Sequence, residues 1–478
     1  MRTTLVVVAV CAGVQVALGV DPIVLALATM TCVSGLAGLR LVGAYNGAGW
    51  LAFMFVLGSA IVALVAKTVL RQPLDSHLLA PLESFVTLAA GSAVLLVALL
   101  VALTIPVGKP LFHPVSDPRL LRWLSNSTFV LGTLSWYLNR LFQDPGGSGF
   151  GGLGDFWNLL LMAVIARTAL VLEVSRGRGS MDSQLLLILA AVIAMGLVDN
   201  AKTNVALPVV AYFATSLFYR GGVTRWQTAA GVLGVVLMGA VVGPLIHAYR
   251  AIGIQTMPWQ QRVQVIQSGL KQAFGSGRFE RYQQLASVQF RSSTYNYFGN
   301  ASGQMLVGRY ATVQVIDPVI DAVNRRGALG GSVVWPAFAR LVPSFIYPEK
   351  PRYPEAYYLL LQLGLNAPGG GKYMNVPLLA QSYAGYGAAG LILIAFSTFL
   401  GFLLALKKLG WELHRNVFAI FFFCVFTVVY ANQGDLLEYA GSVLRSFPLL
   451  AAMLWLLIGV YRATHLFRGG RVAATAGR

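Results

Sequence analysis

Three features of the chain predict an all-α polytopic membrane protein with about twelve transmembrane helices and one large outer loop between helices 9 and 10. Only 11% of its 478 residues are charged, whereas soluble domains carry about 25%, and its mean hydropathy is +0.69. Its apolar runs are roughly 17–25 residues long, enough to cross about 30 Å of hydrocarbon as helices. One long interval, from about Ala251 to Gly371, is too polar to lie in a bilayer.

The apolar runs give the predicted order of elements. The spans lie at about 3–20, 22–44, 47–70, 82–107, 125–142, 155–175, 183–200, 203–219, 226–249, 376–406, 415–432 and 445–463. We therefore divide the chain into an N-terminal bundle of about nine helices (1–250), a basic loop domain (251–375), and about three C-terminal helices with a basic tail (376–478).

The short connections predict the orientation. Lys and Arg concentrate in alternate connections, a pattern typical of cytoplasmic loops: Lys109, Arg119, Arg122, Arg176, Arg178, Arg220, Arg225, Lys407, Lys408 and Arg415. The connections between them are poorer in these residues, which predicts that both termini are cytoplasmic and that the long loop faces outward. The first span also fits a secretory signal peptide, so a retained helix and a cleaved one both stay open.

Several functional classes lack their sequence signals. The three cysteines lie within predicted spans and the five histidines have no ligand spacing, so no metal site is predicted. No phosphate-binding glycine loop of the Walker type occurs, and no cofactor is predicted. The net charge of +18 is explained by the topology and by attraction to anionic membrane lipids, so nucleic acid is not an expected partner.

The long loop is strongly basic and has structure of its own. From Ala251 to Lys372 it carries twelve basic and five acidic residues. Between Arg309 and Arg326, the apolar residues Val313, Ile316, Ile320 and Val323 recur at helical spacing, which predicts a helix. The next segment, WPAFARLVPSFIYPEKPRYPEAYY, is rich in proline and aromatic residues and is too apolar for a solvated linker.

Charged residues in and beside the spans form a second group of candidates. Arg167 lies in the middle of a predicted span, where it either faces a functional cavity or pairs structurally with Glu173. Glu438 and Arg445 are seven residues apart, two helical turns, and are expected on one face near the outer surface. Prolines around Glu349, Lys350 and Arg352 hold these charges on a stiff segment.

The sequence resembles the Wzy-type O-antigen polymerases and related bacterial exopolysaccharide polymerases. The resemblance rests on the topology, on Pro348-Glu349-Lys350-Pro351 after an Arg-rich outer region, and on the segment Tyr383-Ala384-Gly385-Tyr386-Gly387-Ala388-Ala389-Gly390. It implies an inner-membrane protein that acts on undecaprenyl-pyrophosphate-linked oligosaccharides. It further implies transfer of the glycan chain to another lipid-linked repeat unit at the periplasmic face, with a chain-length regulator as a possible partner.

This activity assigns roles to the candidates. Cationic side chains are expected to bind the pyrophosphate or glycan, since Arg pairs bidentately with phosphate oxygens, and a carboxylate, Glu349 or Glu438, to accept the proton of the attacking hydroxyl. The tyrosines either stack on sugar rings or anchor the membrane interface. The binding candidates are Arg250, Arg291, Arg309, Arg340, Lys350, Arg352, Arg167, Arg445, Tyr353 and Tyr383.

Other functional classes remain open. An O-antigen ligase has a similar layout but is expected to use a histidine in its large loop, and this loop has none, the nearest being His247. A flippase or other transporter fits twelve spans, but its two halves commonly show internal repeats, which we do not find here. A metal-dependent lipid-sugar transferase would need paired acidic residues in the first outer loop, where only Asp21 lies.

Overall fold

The computed structural model describes residues 2–141, 156–199, 201–237, 260–267, 311–342, 355–365, 376–428 and 434–475, together with residues 242, 246, 257, 297, 298, 346, 347, 349 and 431. Within these ranges the regular elements are helices and no β-strand occurs, which confirms the all-α class. The described part forms two compact units: residues 1–110, 287–411 and 426–445, and residues 111–286, 412–425 and 446–478. The predicted division at 250 and 375 stays a prediction.

Unit 1 contains the first four helices, three helices of the long loop and two of the C-terminal helices. They are α1 (Arg2–Ala17), α2 (Pro22–Val42), α3 (Gly47–Val69), α4 (Pro81–Thr104), α10 (Val313–Arg326), α11 (Trp335–Leu341), α12 (Glu355–Gln362), α13 (Leu378–Leu409) and α15 (Leu436–Gly441). Unit 2 contains α5 (Pro118–Leu141), α6 (Leu159–Val174), α7 (Ser183–Val198), α8 (Lys202–Arg220), α9 (Arg225–Leu237), α14 (Val417–Thr427) and α16 (Phe447–Thr475).

Five described helices are long and apolar enough to cross a membrane: Pro22–Val42, Gly47–Val69, Pro81–Thr104, Leu378–Leu409 and Leu436–Thr464. Three shorter apolar helices, α1, α7 and α14, accompany them. These helices mark the chain as a membrane-embedded protein, whereas the twelve spans and the orientation stay predictions. In α5, polar side chains lower the mean hydropathy, and one of them is paired with the neighbouring helix α6. The Ser125 hydroxyl donates to the Ala163 carbonyl of α6 (3.1 Å).

Helix ends follow local sequence signals. Pro22 starts α2 after Asp21, whose carboxylate accepts from the Ile23 N–H (2.7 Å). Asp182 caps α7 in the same way, through the Leu185 N–H (2.8 Å). Both aspartates satisfy backbone donors that the first helical turn leaves unpaired.

In unit 1, α4 packs against both α2 and α13. The contact with α13 is close because position 91 is glycine: a Cβ there would collide with the Leu379 side chain. The first helix, α1, packs on α3, and its buried Gln15 side chain accepts from the Leu74 N–H (2.8 Å) and donates to Gln72 O (3.1 Å). In unit 2, α6 is buried along most of its length and packs on α5, α7, α8 and α14.

Candidate functional site

Helix α10 confirms the amphipathic helix predicted between Arg309 and Arg326. Its apolar residues Val313, Ile316, Ile320 and Val323 are all buried, and α10 packs on α4 and α13. A charged residue on the same face, Asp317, is also buried and accepts hydrogen bonds at the start of α4. Helix α10 of the long loop is therefore fixed to the end of unit 1 where α3 finishes and α4 begins.

The C-terminal end of α10 meets α13 and α12 in a polar cluster that we call the α10–α13 corner: Asn324, Arg326, Ser332, Gln362, Tyr383 and Tyr386. The Tyr383 hydroxyl donates to Asn324 Oδ1 (3.1 Å). The Ser332 hydroxyl donates to Gln362 Oε1 (3.2 Å), and the Tyr386 hydroxyl lies beside Gly331. Amide, hydroxyl and aromatic groups thus lie within one partly exposed surface of unit 1, a composition that suits a sugar.

Arg326 supplies the cation of this corner. Its guanidinium lies directly against Gly364, so that a Cβ at position 364 would collide with it. Gly364 has a φ of +66°, which a residue with a side chain rarely adopts. The neighbouring Arg325 instead pairs with Asp321 one helical turn earlier on the exposed surface. Arg326 is therefore the arginine at this helix end whose exposed guanidinium packs against the segment after α12.

The Tyr383–Gly390 segment, which carries part of the family resemblance, interrupts helix α13. Tyr386 has φ −144° and ψ 24°, and Gly387 has φ 59° and ψ −139°, so neither continues the helix. The chain resumes a helical path immediately afterwards. A break of this kind frees backbone groups inside a span, and such breaks form binding sites in membrane proteins when they line a cavity.

Two buried polar residues precede this break. Gln381 and Ser382 are both 0% exposed. The Gln381 Oε1 accepts from the Leu436 N–H (2.8 Å), but neither its Nε2 nor the Ser382 hydroxyl has a hydrogen-bond partner in the described part of the chain. Because leaving such groups unpaired costs about 1–3 kcal/mol each, the segment is not optimised for packing alone.

Arg340 and Glu438 lie on helices that contact each other. Arg340 is in the last turn of α11, which packs on α15, and the Leu341 side chain approaches Gly441. Glu438 is half-buried in the first turn of α15 and forms a capping box with Asp435: its carboxylate accepts from the Asp435 N–H (3.2 Å). This capping box gives Glu438 a structural role in addition to the catalytic role predicted from the sequence.

The other sequence candidates are placed as follows. Glu349 is exposed in a turn, and Arg445 is exposed in the π-helical segment Ser442–Ser446 that follows α15. The structure also identifies polar members of the corner that were not predicted, namely Asn324, Arg326 and Gln362. The one signal in the sequence was the Asn-Arg-Arg run that ends an amphipathic helix. Six candidates lie outside the described residues: Arg250, Arg291, Arg309, Lys350, Arg352 and Tyr353.

Arg167 belongs to unit 2 and has a structural partner. Its guanidinium binds the carboxylate of Asp182, with Nε at 3.3 Å from Oδ1. The alternative pair with Glu173 is wrong, because the Glu173 carboxylate accepts from the Tyr219 hydroxyl (2.8 Å) and from Arg415 (3.2 Å). Burial alone would raise the pKa of Asp182, but the hydrogen bonds from Arg167 and the Leu185 N–H outweigh it and hold the pKa below its usual value.

The described residues contain no group of three His, Cys, Asp or Glu side chains arranged as metal ligands. The three cysteines are buried and unbridged. No protein-family model, no curated protein and no solved structure matches this chain.

Proposed function

We propose that the protein is a bacterial polysaccharide polymerase of the Wzy type, embedded in the inner membrane with both termini in the cytoplasm. It would transfer a glycan chain from undecaprenyl pyrophosphate to another lipid-linked oligosaccharide repeat unit at the periplasmic face. One observation carries the proposal: Tyr383, in the broken segment of α13, binds Asn324 on the long-loop helix α10. Sequence elements of the resemblance and the basic loop thus form one surface.

The chemistry needs cations and a base. A sugar hydroxyl of the acceptor attacks the anomeric carbon, the bond from that carbon to the pyrophosphate oxygen breaks, and undecaprenyl pyrophosphate leaves with the electron pair. Guanidinium groups stabilise the negative charge that develops on this leaving group. Arg326 and Arg340 take this role here, with contributions from the loop cations Arg250, Arg291, Arg309, Lys350 and Arg352.

The hydroxyl proton goes to a carboxylate. Glu349 is the better of the two candidates, because its side chain is exposed in the loop whereas the carboxylate of Glu438 caps α15. Tyr383 and Tyr386 supply aromatic faces for sugar rings, and Asn324 and Gln362 supply amide groups that recognise hydroxyls. This division of roles leaves the transfer itself to side chains of the long loop and of α13.

The test is glycan profiling in a deletion strain that expresses wild type, Arg340→Ala, Arg326→Ala or the neighbouring control Arg325→Ala. We expect the deletion strain to lose long polymer while its single repeat units are already translocated. Wild type and Arg325→Ala should restore long polymer, whereas Arg340→Ala and Arg326→Ala should not. Equal protein abundance in the membrane must accompany this result. Untranslocated precursor in the deletion strain would instead assign transport, and normal-length polymer held on its carrier would assign ligation.

A further inference from the structure

Unit 2 contains a basic cleft that the proposed glycan chemistry does not use. The cleft has a volume of about 720 Å³ and lies where the C-terminal ends of α6 and α8 meet the segment that precedes α14. We call it the arginine cleft; its charged and polar side chains are Glu173, Arg176, Arg178, Tyr219, Arg220, His414 and Arg415.

The charges of the arginine cleft are not balanced. Glu173 is its only carboxylate, and it is already bound to Tyr219 and Arg415. In the described part of the chain, no carboxylate lies within ion-pair distance of Arg176, Arg178 or Arg220. Four arginines against one glutamate give the cleft a formal charge of +3. A concave surface with this charge concentrates anions.

Two of the arginines occupy unusual backbone conformations. Arg176 has a φ of +51° and stands just after the end of α6 in a Schellman motif: the Gly177 N–H donates to Leu172 O (2.7 Å) and the Arg176 N–H to Glu173 O (3.1 Å). Glycine is the usual residue at this position, and an arginine there costs on the order of 1 kcal/mol. Arg415 has a φ of +52° and donates its N–H to Phe218 O of α8 (3.4 Å).

Topology explains only part of this arrangement. The charge bias of cytoplasmic connections and the dipole of helix C-termini both favour arginine at the ends of α6 and α8. Neither of them gathers arginines from three chain segments around one cleft. A bound anion accounts for this gathering, whereas an arginine in the left-handed region also occurs away from the cleft, at Arg71.

We propose that the arginine cleft binds a phosphate group, as a pyrophosphate or as the phosphodiester headgroup of an anionic lipid. Phosphate is preferred to a single carboxylate because three unpaired guanidinium groups exceed the charge that one carboxylate neutralises, and each guanidinium fits two phosphate oxygens. The site is separate from the α10–α13 corner, and the inference does not depend on the polymerase assignment.

The decisive comparison uses two arginines in the same backbone setting. Arg71 also has a positive φ (55°) at the end of α3, where the Gln72 N–H donates to Lys67 O (2.9 Å) and the Arg71 N–H to Thr68 O (3.1 Å). Arg71→Gly and Arg176→Gly therefore relieve the same strain, but only Arg176 lines the cleft. Arg220→Gln, which leaves the Schellman motif intact, is the second cleft variant.

The full-length protein is placed in phosphatidylcholine nanodiscs. Inorganic pyrophosphate binding is measured by equilibrium dialysis, and in parallel nanodiscs the retention of phosphatidylglycerol is measured by native mass spectrometry. We expect wild type and Arg71→Gly to bind at least one probe, and Arg176→Gly and Arg220→Gln to bind it about tenfold or more weakly, as expected for loss of a charged hydrogen bond. Pyrophosphate binding identifies a soluble ligand, and selective phosphatidylglycerol retention identifies a lipid headgroup.

Two results would overturn the proposal. One is that wild type binds neither probe. The other is that the cleft variants bind as tightly as wild type, or that Arg71→Gly weakens binding as much as Arg176→Gly does. Thermal unfolding of each variant accompanies the measurement, and we expect Arg176→Gly to be at least as stable as wild type because it removes a strained left-handed residue.

Discussion

Asp317 of the long-loop helix α10 accepts a hydrogen bond from the Ser84 hydroxyl of the membrane helix α4 (3.0 Å). The same carboxylate accepts from the Leu79 and Ala80 N–H groups, each at 2.8 Å, and is 3% exposed. Burial raises the pKa of Asp317, and these three donors oppose the rise. This carboxylate therefore fixes the long loop to the start of α4 through hydrogen bonds.

We expect Asp317→Asn to destabilise the protein by about 1–3 kcal/mol, because an amide NH₂ would replace one acceptor and face a buried N–H donor. Thermal unfolding of the purified protein in detergent measures the loss. Asp321→Asn is the matched control: it lies one turn later on α10 and loses only a surface pair with Arg325, which contributes about 0–0.5 kcal/mol. Equal stability of the two variants would contradict the anchoring role of Asp317.

The sequence predicted the parts of the structure that depend on local pattern. The helical class, the apolar helices and the buried face of α10 follow from periodicity over a few turns. The Tyr383–Asn324 contact joins residues 59 positions apart and depends on how α10 packs against α13, which no local pattern encodes. The break at Gly387 was equally hidden, because a glycine inside an apolar run is compatible with an unbroken helix.

The pairing of Arg167 was missed for a geometric reason. Glu173 is six residues further along the same helix, a separation that turns the side chain to another face, whereas partners on one helix lie three or four residues apart. Asp182 lies beyond the end of α6, at the N-cap of α7, and its carboxylate there binds the Arg167 guanidinium. Sequence spacing within a single helix excluded the predicted partner but could not identify the true one.

We predict that Arg167→Gln and Asp182→Asn each lower the stability of the protein by about 1–2 kcal/mol at neutral pH, since each leaves a partly buried charge without its partner. The effects should not add in the double variant. A double-mutant cycle of thermal unfolding measures this. A substrate-binding role for Arg167 would give a different result. Arg167→Gln would then be as stable as wild type but make no long polymer, and Asp182→Asn would still make it.

The Arg167–Asp182 pair also predicts a pH dependence. Because the folded-state pKa of Asp182 is lowered, its contribution to stability is present above the unfolded pKa of about 3.9 and is lost as the pH falls through the lowered value. The stability difference between wild type and Asp182→Asn should therefore be constant from about pH 5 to 7 and narrow below about pH 4. A difference that instead widened on acidification would contradict the assignment.

Gly387→Ala tests the break in α13. A Cβ at this position meets no atom within 4 Å, so the substitution acts through the backbone, where φ 59° and ψ −139° cost a residue with a side chain about 1–3 kcal/mol. We expect the Gly387→Ala protein to be less stable than wild type and to fail to restore long polymer when it is expressed in the deletion strain. Gly401→Ala, in the regular part of the same helix and also in open space, should be neutral or stabilising by up to about 1 kcal/mol.

The most selective test of the α10–α13 corner moves a side chain without deleting it. Gly364→Ala places a methyl group against the Arg326 guanidinium and must displace it, while every candidate for binding or catalysis is retained. If Arg326 stabilises the leaving pyrophosphate, Gly364→Ala should lower the polymer yield at least tenfold, the rate equivalent of about 1.4 kcal/mol. Arg326→Ala should lower the polymer yield by a similar factor. The positive φ of Gly364 adds a backbone cost, so membrane abundance is measured beside chain length. Normal polymer from an abundant Arg326→Ala protein would remove Arg326 from the site, whatever Gly364→Ala does.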